Sequence, residues 1–251
     1  MKSLSPVANQ NRNVNFINWV YRTRNSGHRI TGQLKVSNSF SEPRVFEIFK
    51  KLYKYYGKQH WWPADTPFEI MIGAVLTQNT AWHNVEKAIF NLKQRNLINP
   101  KRLAKLKMSE LCQLIKPSGF YNIKAKRLMS LVNFINRTHA GSIDKMKRQH
   151  LSELRSQLLA VHGVGEETAD SILLYGLNKP IFVVDAYTKR IFNRHNFFDT
   201  KTSYQSIQRF FMHNLPRTIK IYNEYHALLV KLAKDFCKTK PKCDTCPINL
   251  L

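Results

Sequence analysis

The carboxylate most able to do chemistry in this sequence is Asp185. It follows the apolar run "PIFVV" and precedes the polar run "AYTKR", in a chain where 40 Lys and Arg face 16 Asp and Glu. A carboxylate so placed can stabilise an oxocarbenium-like transition state or activate a water. It can also be the N-cap of a helix that begins next to it. On the residues alone, the N-cap is the favoured interpretation.

Two glycines precede that aspartate. Gly163 and Gly165, in "AVHGVGEE", separate two segments with helical apolar spacing. Without a Cβ they let the backbone turn sharply and approach a ligand. The following helix would offer unpaired N–H groups and a positive dipole end to a phosphate. The alternative is an ordinary αα-hairpin, which "GVG" alone favours.

Three of the four cysteines lie in the last fifteen residues. Cys237, Cys243 and Cys246 are spaced C-x5-C-x2-C, which is typical of a metal site in a reducing compartment. Cys112, in the helical segment "SELCQLIK", is expected to be a small core residue.

The composition favours an intracellular protein that binds a polyanion. The 251 residues carry a net charge of +24 and are 43% hydrophobic, which allows one large or two small domains. Nucleic acid is favoured over a membrane surface because the basic residues are spread along the chain rather than gathered in one amphipathic block. The sequence has no signal-peptide pattern and no apolar run that could span a bilayer. We expect a cytoplasmic, nucleoid-associated protein of bacterial type.

Helical apolar spacing recurs from Pro43 onward, and no alternating strand pattern competes with it over any length. The predicted fold class is all-α with short connections. One helix should begin at Pro67, with Asp65 or Thr66 as its N-cap. Residues 1–41 contain no Asp or Glu, and we predict a basic, poorly ordered arm at 1–42.

"LLAVHGVGEETADSILL" followed by "PIFVVDAYTKRI" resembles the helix-hairpin-helix and Gly/Pro-Asp signature of the endonuclease III superfamily of DNA glycosylases, known as HhH-GPD. "GAVLTQNT", "SGFYNIKAKRL" and "EYHALLVKLAKDFC" are similar to further segments of that family, so the resemblance covers roughly 43–251. With "WWP", these motifs resemble most closely the endonuclease III-related and 3-methyladenine glycosylase subgroup.

The resemblance implies two helical lobes with a DNA-binding cleft, a helix-hairpin-helix motif and a C-terminal iron–sulfur loop. A helical barrel at 66–179 would end in the hairpin. The second lobe would combine 43–65 with 180–251, and Asp185 would lie at the mouth of the cleft.

The family's [4Fe–4S] cluster uses four cysteines spaced C-x6-C-x2-C-x5-C. In this sequence the first gap is one residue shorter, and the fourth cysteine would fall just past Leu251. We expect Cys237, Cys243 and Cys246 to hold a structural cluster whose fourth ligand is not found. Zinc or a loop without metal are the alternatives.

The implied activity is base excision repair by a monomer that acts on duplex DNA containing damaged bases. The enzyme would flip the nucleotide out of the stack and hydrolyse its N-glycosidic bond, with Asp185 as the catalytic carboxylate. Gln78 would fill the gap, unless it is only a polar residue at a helix end. Phe120 or Tyr121 would wedge the opposite strand, unless it is a packed aromatic. The expected DNA contacts are Gln78, Phe120, His162, Gly163, Gly165, Thr168 and Lys189.

A pocket for the extruded base is expected to involve Trp61, Trp82 and Glu167. Indole rings suit an electron-poor alkylated base, and Trp82 is the first choice. Core tryptophans are the competing interpretation.

Two residues depart from the family pattern. Glu167 stands where bifunctional members carry the lysine that forms a Schiff base with the sugar, and a glutamate cannot form an imine. Lys124, Lys126 or Lys189 could in principle supply the amine, but none lies at the matching position. We therefore predict a monofunctional enzyme that uses water, and the subgroup resemblance implies that it acts on an alkylated base. His162 replaces a usual proline, which a loop should tolerate.

Two alternative functions remain open. One is a glycosylase and lyase that acts on oxidised pyrimidines, and the other is a non-catalytic DNA-binding protein.

Overall fold

A computed structural model describes residues 43–249, and the expected basic arm at 1–42 lies outside them. The all-α prediction is confirmed, since this part of the chain contains helices, turns and no strand. The helices, in chain order, are α1 (Pro43–Tyr56), α2 (Pro67–Leu76), α3 (Trp82–Gln94), α4 (Pro100–Leu103), α5 (Met108–Leu114), α6 (Tyr121–His139), α7 (Ile143–Arg148), α8 (Leu151–Leu159), α9 (Glu166–Ser171), α10 (Ala186–Arg194), α11 (Tyr204–Asn214) and α12 (Ile219–Asp235).

Two short elements lie between these helices. A 3-10 turn at Lys116–Ser118 precedes α6, and one π-helical turn at Ile172–Gly176 continues α9. None of the helices described is long and apolar enough to cross a membrane.

The chain forms two compact units. The first, Trp62–Val183, holds α2 to α9. The second consists of the described parts of Met1–Trp61 and Val184–Leu251, and it holds α1 and α10 to α12. We call them the hairpin unit and the aspartate unit.

Helix α2 forms the centre of the hairpin unit. Thr66, rather than Asp65, is its N-cap: the Thr66 hydroxyl accepts a hydrogen bond from Glu69 N at 3.1 Å, and Pro67 occupies the first turn. Apolar side chains cover nearly all of its surface and are buried against α6 and the π-helical turn. A helix that is apolar on every side must lie inside a domain.

The two hairpin helices, α8 and α9, are joined by an ion pair between half-buried Arg155 and buried Asp170. Arg155 Nε and Nη2 donate to the two carboxylate oxygens of Asp170 at 2.7 and 3.0 Å, and Asp170 is fully buried. This bidentate geometry fixes orientation as well as distance.

Aromatic rings hold the aspartate unit together. The Tyr225 ring lies 5.4 Å from that of Phe49 on α1 and 5.8 Å from that of Phe211 on α11. The Tyr225 hydroxyl donates to Val45 O at 2.8 Å, so this buried phenol keeps a hydrogen-bond partner. Helix α10 packs against α12, which fixes the end of α10 that carries Asp185.

Candidate active site

The glycine hairpin has the sharp turn that the sequence predicts. Helix α8 ends at Leu159, the chain turns at Gly163 with φ +82, and α9 begins after Gly165. Val164 N donates to Val161 O at 3.0 Å, and both valines are buried. His162 and Glu167 are exposed on either side of this turn.

Three of the predicted DNA-contact residues meet in one hydrogen-bond network. Gln78 Nε2 donates to Gly163 O at 3.2 Å and to Thr168 Oγ1 at 3.0 Å. Gln78 Oε1 accepts from the Arg127 guanidinium. The segment after α2 is thereby fastened to the hairpin through one amide side chain. Gln78 would have to exchange these bonds in order to enter DNA.

Arg127, which sequence reasoning missed, also lies directly against Gly163. A Cβ built on Gly163 would be 2.1 Å from Arg127 Cγ and 2.9 Å from Arg127 Cβ, far inside van der Waals contact. Gly163 is therefore required both by its left-handed backbone and by the arginine beside it. The available signal was only the chain position of Arg127, one turn after Lys124 in "NIKAKRL".

Lys124 is a second residue whose structural role the sequence did not predict. Its side chain is buried, and its ammonium donates to Leu76 O, Thr80 Oγ1 and Ser118 O at 2.7–2.8 Å. Thr80 Oγ1 also donates to Ser118 O at 2.5 Å. One cation thus joins the Gln78 segment to the turn before α6. Burial, and then the nearby Arg127 charge, lower the pKa of Lys124 to about 8.

Phe120 follows that turn directly. Its side chain is 69% exposed and its φ is +45, in the left-handed region, next to Gly119 at φ +67. The interpretation of Phe120 as a packed aromatic is therefore wrong. A bulky apolar side chain that is exposed on a left-handed backbone is a candidate for a functional contact.

Asp185 is the N-cap of α10, in the aspartate unit. Its Oδ1 accepts from Thr188 N at 2.7 Å, and its Oδ2 lies 3.5 Å from Nε2 of His226 on α12. Both side chains are buried. Burial raises the pKa of Asp185, but the His226 charge and the hydrogen bonds from His226 and Thr188 outweigh it, so the pKa lies below its ordinary value. Asp185 is therefore a buried anion at neutral pH.

The predicted pocket residues are divided between the two units. Trp82 Nε1 donates to Glu86 Oε1 at 2.7 Å, and the Trp82 ring meets Trp62 edge-on at 5.3 Å. Trp82 lines a cavity of about 810 Å³ whose wall includes no residue of the hairpin turn.

Trp61 belongs to the aspartate unit, where the Lys234 ammonium lies 6.0 Å from its ring. Lys189, which was predicted to contact DNA, belongs to the same unit, and its ammonium lies 6.0 Å from the Tyr204 ring.

The C-terminal cysteines share one loop that arginines of α10 hold in place. Arg194 donates to Cys237 Sγ at 3.3 Å, and Arg190 donates to Cys237 O at 2.8 Å. Cys237 is buried and Cys243 exposed, while Cys246 N donates to Cys243 O at 2.9 Å. Burial, with the thiols of Cys237 and Cys243 nearby, raises the pKa of Cys246.

The donors in this loop do not complete an iron–sulfur site. Residues 43–249 contain no group of three or more His, Cys, Asp or Glu side chains arranged to hold a metal ion. Three thiols are one ligand short of the four thiolates that the cluster needs, and Cys112 lies in the hairpin unit. The cluster stays a prediction of the resemblance, and no chemical step below uses it.

We predict that Gly163→Ala destabilises the hairpin unit and that Gly165→Ala does not. The alanine Cβ at 163 would collide with Arg127 and occupy a strained backbone, which should lower the free energy of unfolding by about 1–3 kcal/mol. At Gly165 φ is −87 and a Cβ would meet nothing within 4 Å. Urea unfolding of both variants measures the difference; equal stabilities would contradict the assigned contact.

The second prediction concerns Lys124 and pH. Its folded pKa of about 8 lies below that of an unfolded lysine, so from pH 8 to 10 the unfolded state binds more protons. The contribution of Lys124 to the free energy of unfolding should therefore rise with pH in this range. Unfolding of the wild type and of Lys124→Met at pH 7 and pH 9.5 isolates the effect. A difference between the two proteins that is the same at both pH values would contradict it.

Comparison with known proteins identifies the family. The sequence profile of the HhH-GPD superfamily of base excision DNA repair proteins matches residues 72–217. A Methanocaldococcus jannaschii protein, named provisionally as a DNA repair glycosylase, is 48% identical over 207 residues, which are 82% of this chain and 94% of that protein. Endonuclease III of Thermotoga maritima is 29% identical over 203 residues, 80% of this chain and 89% of its own.

Comparison with solved structures supports the same family. The 3-methyladenine DNA glycosylase of H. pylori, bound to 1,N6-ethenoadenine, has a TM-score of 0.67 and 31% identity, and the match covers 78% of this chain and 98% of that one. An endonuclease III–DNA complex has a TM-score of 0.71 at 21% identity over 83% and 94% of the two chains, a likeness of fold. The chain therefore belongs to the HhH-GPD superfamily of base excision DNA repair proteins.

Proposed function

We propose that this DNA glycosylase removes an alkylated base from duplex DNA by hydrolysis and leaves an abasic site. The observation that carries the proposal is the buried carboxylate of Asp185 at the start of α10, which is held by Thr188 N and paired with His226. Departure of a base builds positive charge on the deoxyribose, and a fixed anion away from water stabilises that charge strongly. A helix N-cap alone has no need for the second partner, His226.

The proposed reaction is a substitution at C1′ of the sugar. The C1′–N bond breaks, and its electron pair leaves with the base. A water oxygen bonds to C1′, and its proton passes to the Asp185 carboxylate and from there to solvent. Alkylation makes the base a better leaving group, because a positively charged base departs as a neutral molecule.

Hydrolysis rather than lyase chemistry is proposed because a suitable amine is missing from the hairpin. Glu167 occupies the position where the family pattern has the Schiff-base lysine. Lys124, an alternative amine, is buried and donates three hydrogen bonds to the chain, so it is not presented to a substrate.

DNA binding is proposed for the hairpin unit. The net charge of +24 favours a phosphate backbone. Phe120 is exposed, as a wedge must be, and Gln78 belongs to the hydrogen-bond network that also includes Gly163 and Thr168. His162 and Gly165 are exposed at the hairpin and would face the DNA backbone. Flipping the nucleotide would then leave a gap for Gln78 to fill.

An alkylated substrate is proposed from similarity. The H. pylori enzyme that matches over 98% of its length is a 3-methyladenine glycosylase solved with an etheno-modified adenine. Of the tryptophans, Trp82 is half-buried and lines an open cavity, as a stacking platform would, and Trp61 is its rival. Loss of activity in Trp82→Ala or Trp61→Ala would separate them.

An incision assay tests the function. Duplex oligonucleotides carry one lesion each, drawn from 3-methyladenine analogues, 1,N6-ethenoadenine, oxidised pyrimidines, uracil and mismatched adenine. Every reaction is split, with and without hot alkali, and a parallel sample is treated with borohydride. We expect product from an alkylated base only after alkali, and no trapped adduct.

The variant Glu167→Lys should restore a trapped adduct, and Glu166→Lys, which adds the same charge one residue earlier, should not. Strand cleavage by the wild type without alkali would contradict hydrolysis and favour the glycosylase and lyase. Absence of product on every lesion, with DNA binding intact, would favour the non-catalytic binding protein.

A further inference from the structure

The two carboxylate oxygens of Asp185 are held from two different elements. Thr188 N, on the same helix, donates to Oδ1 at 2.7 Å. His226, on α12, places Nε2 3.5 Å from Oδ2. His226 is 5% exposed, and it lies 41 positions after Asp185 in the sequence. A local N-cap therefore orients one oxygen, and a long-range contact orients the other.

We infer that His226 is a positioning residue for the reaction: its imidazole holds the Asp185 carboxylate in one orientation and keeps it anionic while positive charge develops on the sugar. This inference rests on the proposed function, in which Asp185 is the carboxylate that faces C1′. His226 itself touches no reacting atom in this role and acts through Asp185.

Electrostatics explain why Asp185 needs such a partner. A buried carboxylate without a compensating charge takes up a proton, and a protonated carboxyl group would no longer stabilise a cationic sugar. The charge of His226 and its hydrogen bond are the largest influences that favour the ionised form. The imidazole must carry its proton on Nε2 for this contact to be attractive.

Three other charged groups on these two helices, α10 and α12, have partners of their own. On α10, the Lys189 ammonium lies over the Tyr204 ring, and Arg190 donates to Cys237 O. On α12, Glu224 accepts from Gln59 N at 2.6 Å.

Two tyrosines near this contact stay neutral, because burial raises the pKa of Tyr222 to about 12 and raises that of Tyr225 well above its ordinary value. On α1, Lys50 pairs with Glu47. Among the described residues, His226 is the side chain of α12 that pairs with Asp185.

His226→Gln tests the role, because glutamine keeps a hydrogen-bond donor of similar reach and removes the charge. The matched control is His139→Gln, another buried histidine, whose ring packs edge-on against Phe134 at 5.3 Å in the hairpin unit. The single-turnover rate is measured against pH for each full-length protein, together with the dissociation constant for lesion duplex. The carboxyl group of Asp185 is titrated by 13C NMR in the free protein.

In His226→Gln we expect the apparent pKa of Asp185 to rise by about one pH unit or more. The acid limb of the rate profile should move to higher pH by the same amount. At a pH below both apparent pKa values, the rate of the variant should be lower than that of the wild type by about tenfold for every pH unit that separates the two pKa values. DNA affinity should stay within about twofold of the wild type. His139→Gln should leave the Asp185 titration and the acid limb where they are.

A carboxyl titration and an acid limb unchanged in His226→Gln would overturn the inference. If His226→Gln does not fold, His226→Asn replaces it. The titration of the wild type is an independent test: a pKa of Asp185 at or above the ordinary carboxyl value would also overturn the inference. The NMR titration needs no substrate. If no lesion is processed, the proposed function fails while the action of His226 on Asp185 is still measured.

Discussion

The structure of the aspartate unit depends on one constraint: the negative charge of Asp185 is buried and has to be kept. Removing a carboxylate from water is costly unless hydrogen bonds and opposite charge replace the solvent. The first turn of α10 supplies one hydrogen bond, and α12 supplies His226. The rings of Phe49, Phe211 and Tyr225 fix α12 in turn, so the geometry of the carboxylate is set by a core that contains no other part of the site.

The hairpin unit contains a buried charge of the opposite sign, which also needs partners that replace the solvent. The buried Lys124 ammonium has three oxygen partners, and these lie on the two segments that carry Gln78 and Phe120. The Arg127 guanidinium then connects Gln78 to the hairpin turn. Buried Lys124 and half-buried Arg127 thereby hold three short surface segments in place. The side chains proposed to touch DNA thus stand on a rigid base.

Local chemistry in the sequence was sufficient to predict part of this. Apolar spacing predicted the all-α fold, Pro67 and the residue before it marked the start of α2, and the two glycines marked the hairpin. The N-cap role of Asp185 followed from an aspartate ahead of a helical pattern. Each of these signals lies within a few residues of the feature that it predicts.

Long-range partners could not be predicted in this way. In the sequence, Lys124 and Arg127 look like ordinary basic residues on a helix, in a chain that has 40 of them. His226 looks like one more polar residue in an amphipathic pattern. Their roles depend on which helix faces which, and helical periodicity does not specify that. Phe120 shows the same limit, since the sequence left open whether the ring was packed or exposed.

The measurement that tests the central claim most directly compares the wild type with Asp185→Asn on one lesion duplex under single-turnover conditions, with DNA affinity measured in parallel. Asparagine caps helices about as well as aspartate, so α10 should remain intact while the charge is lost. The account predicts a rate at least about a hundredfold lower, with DNA binding retained. An Asp185→Asn protein that still released the base at the wild-type rate would contradict it.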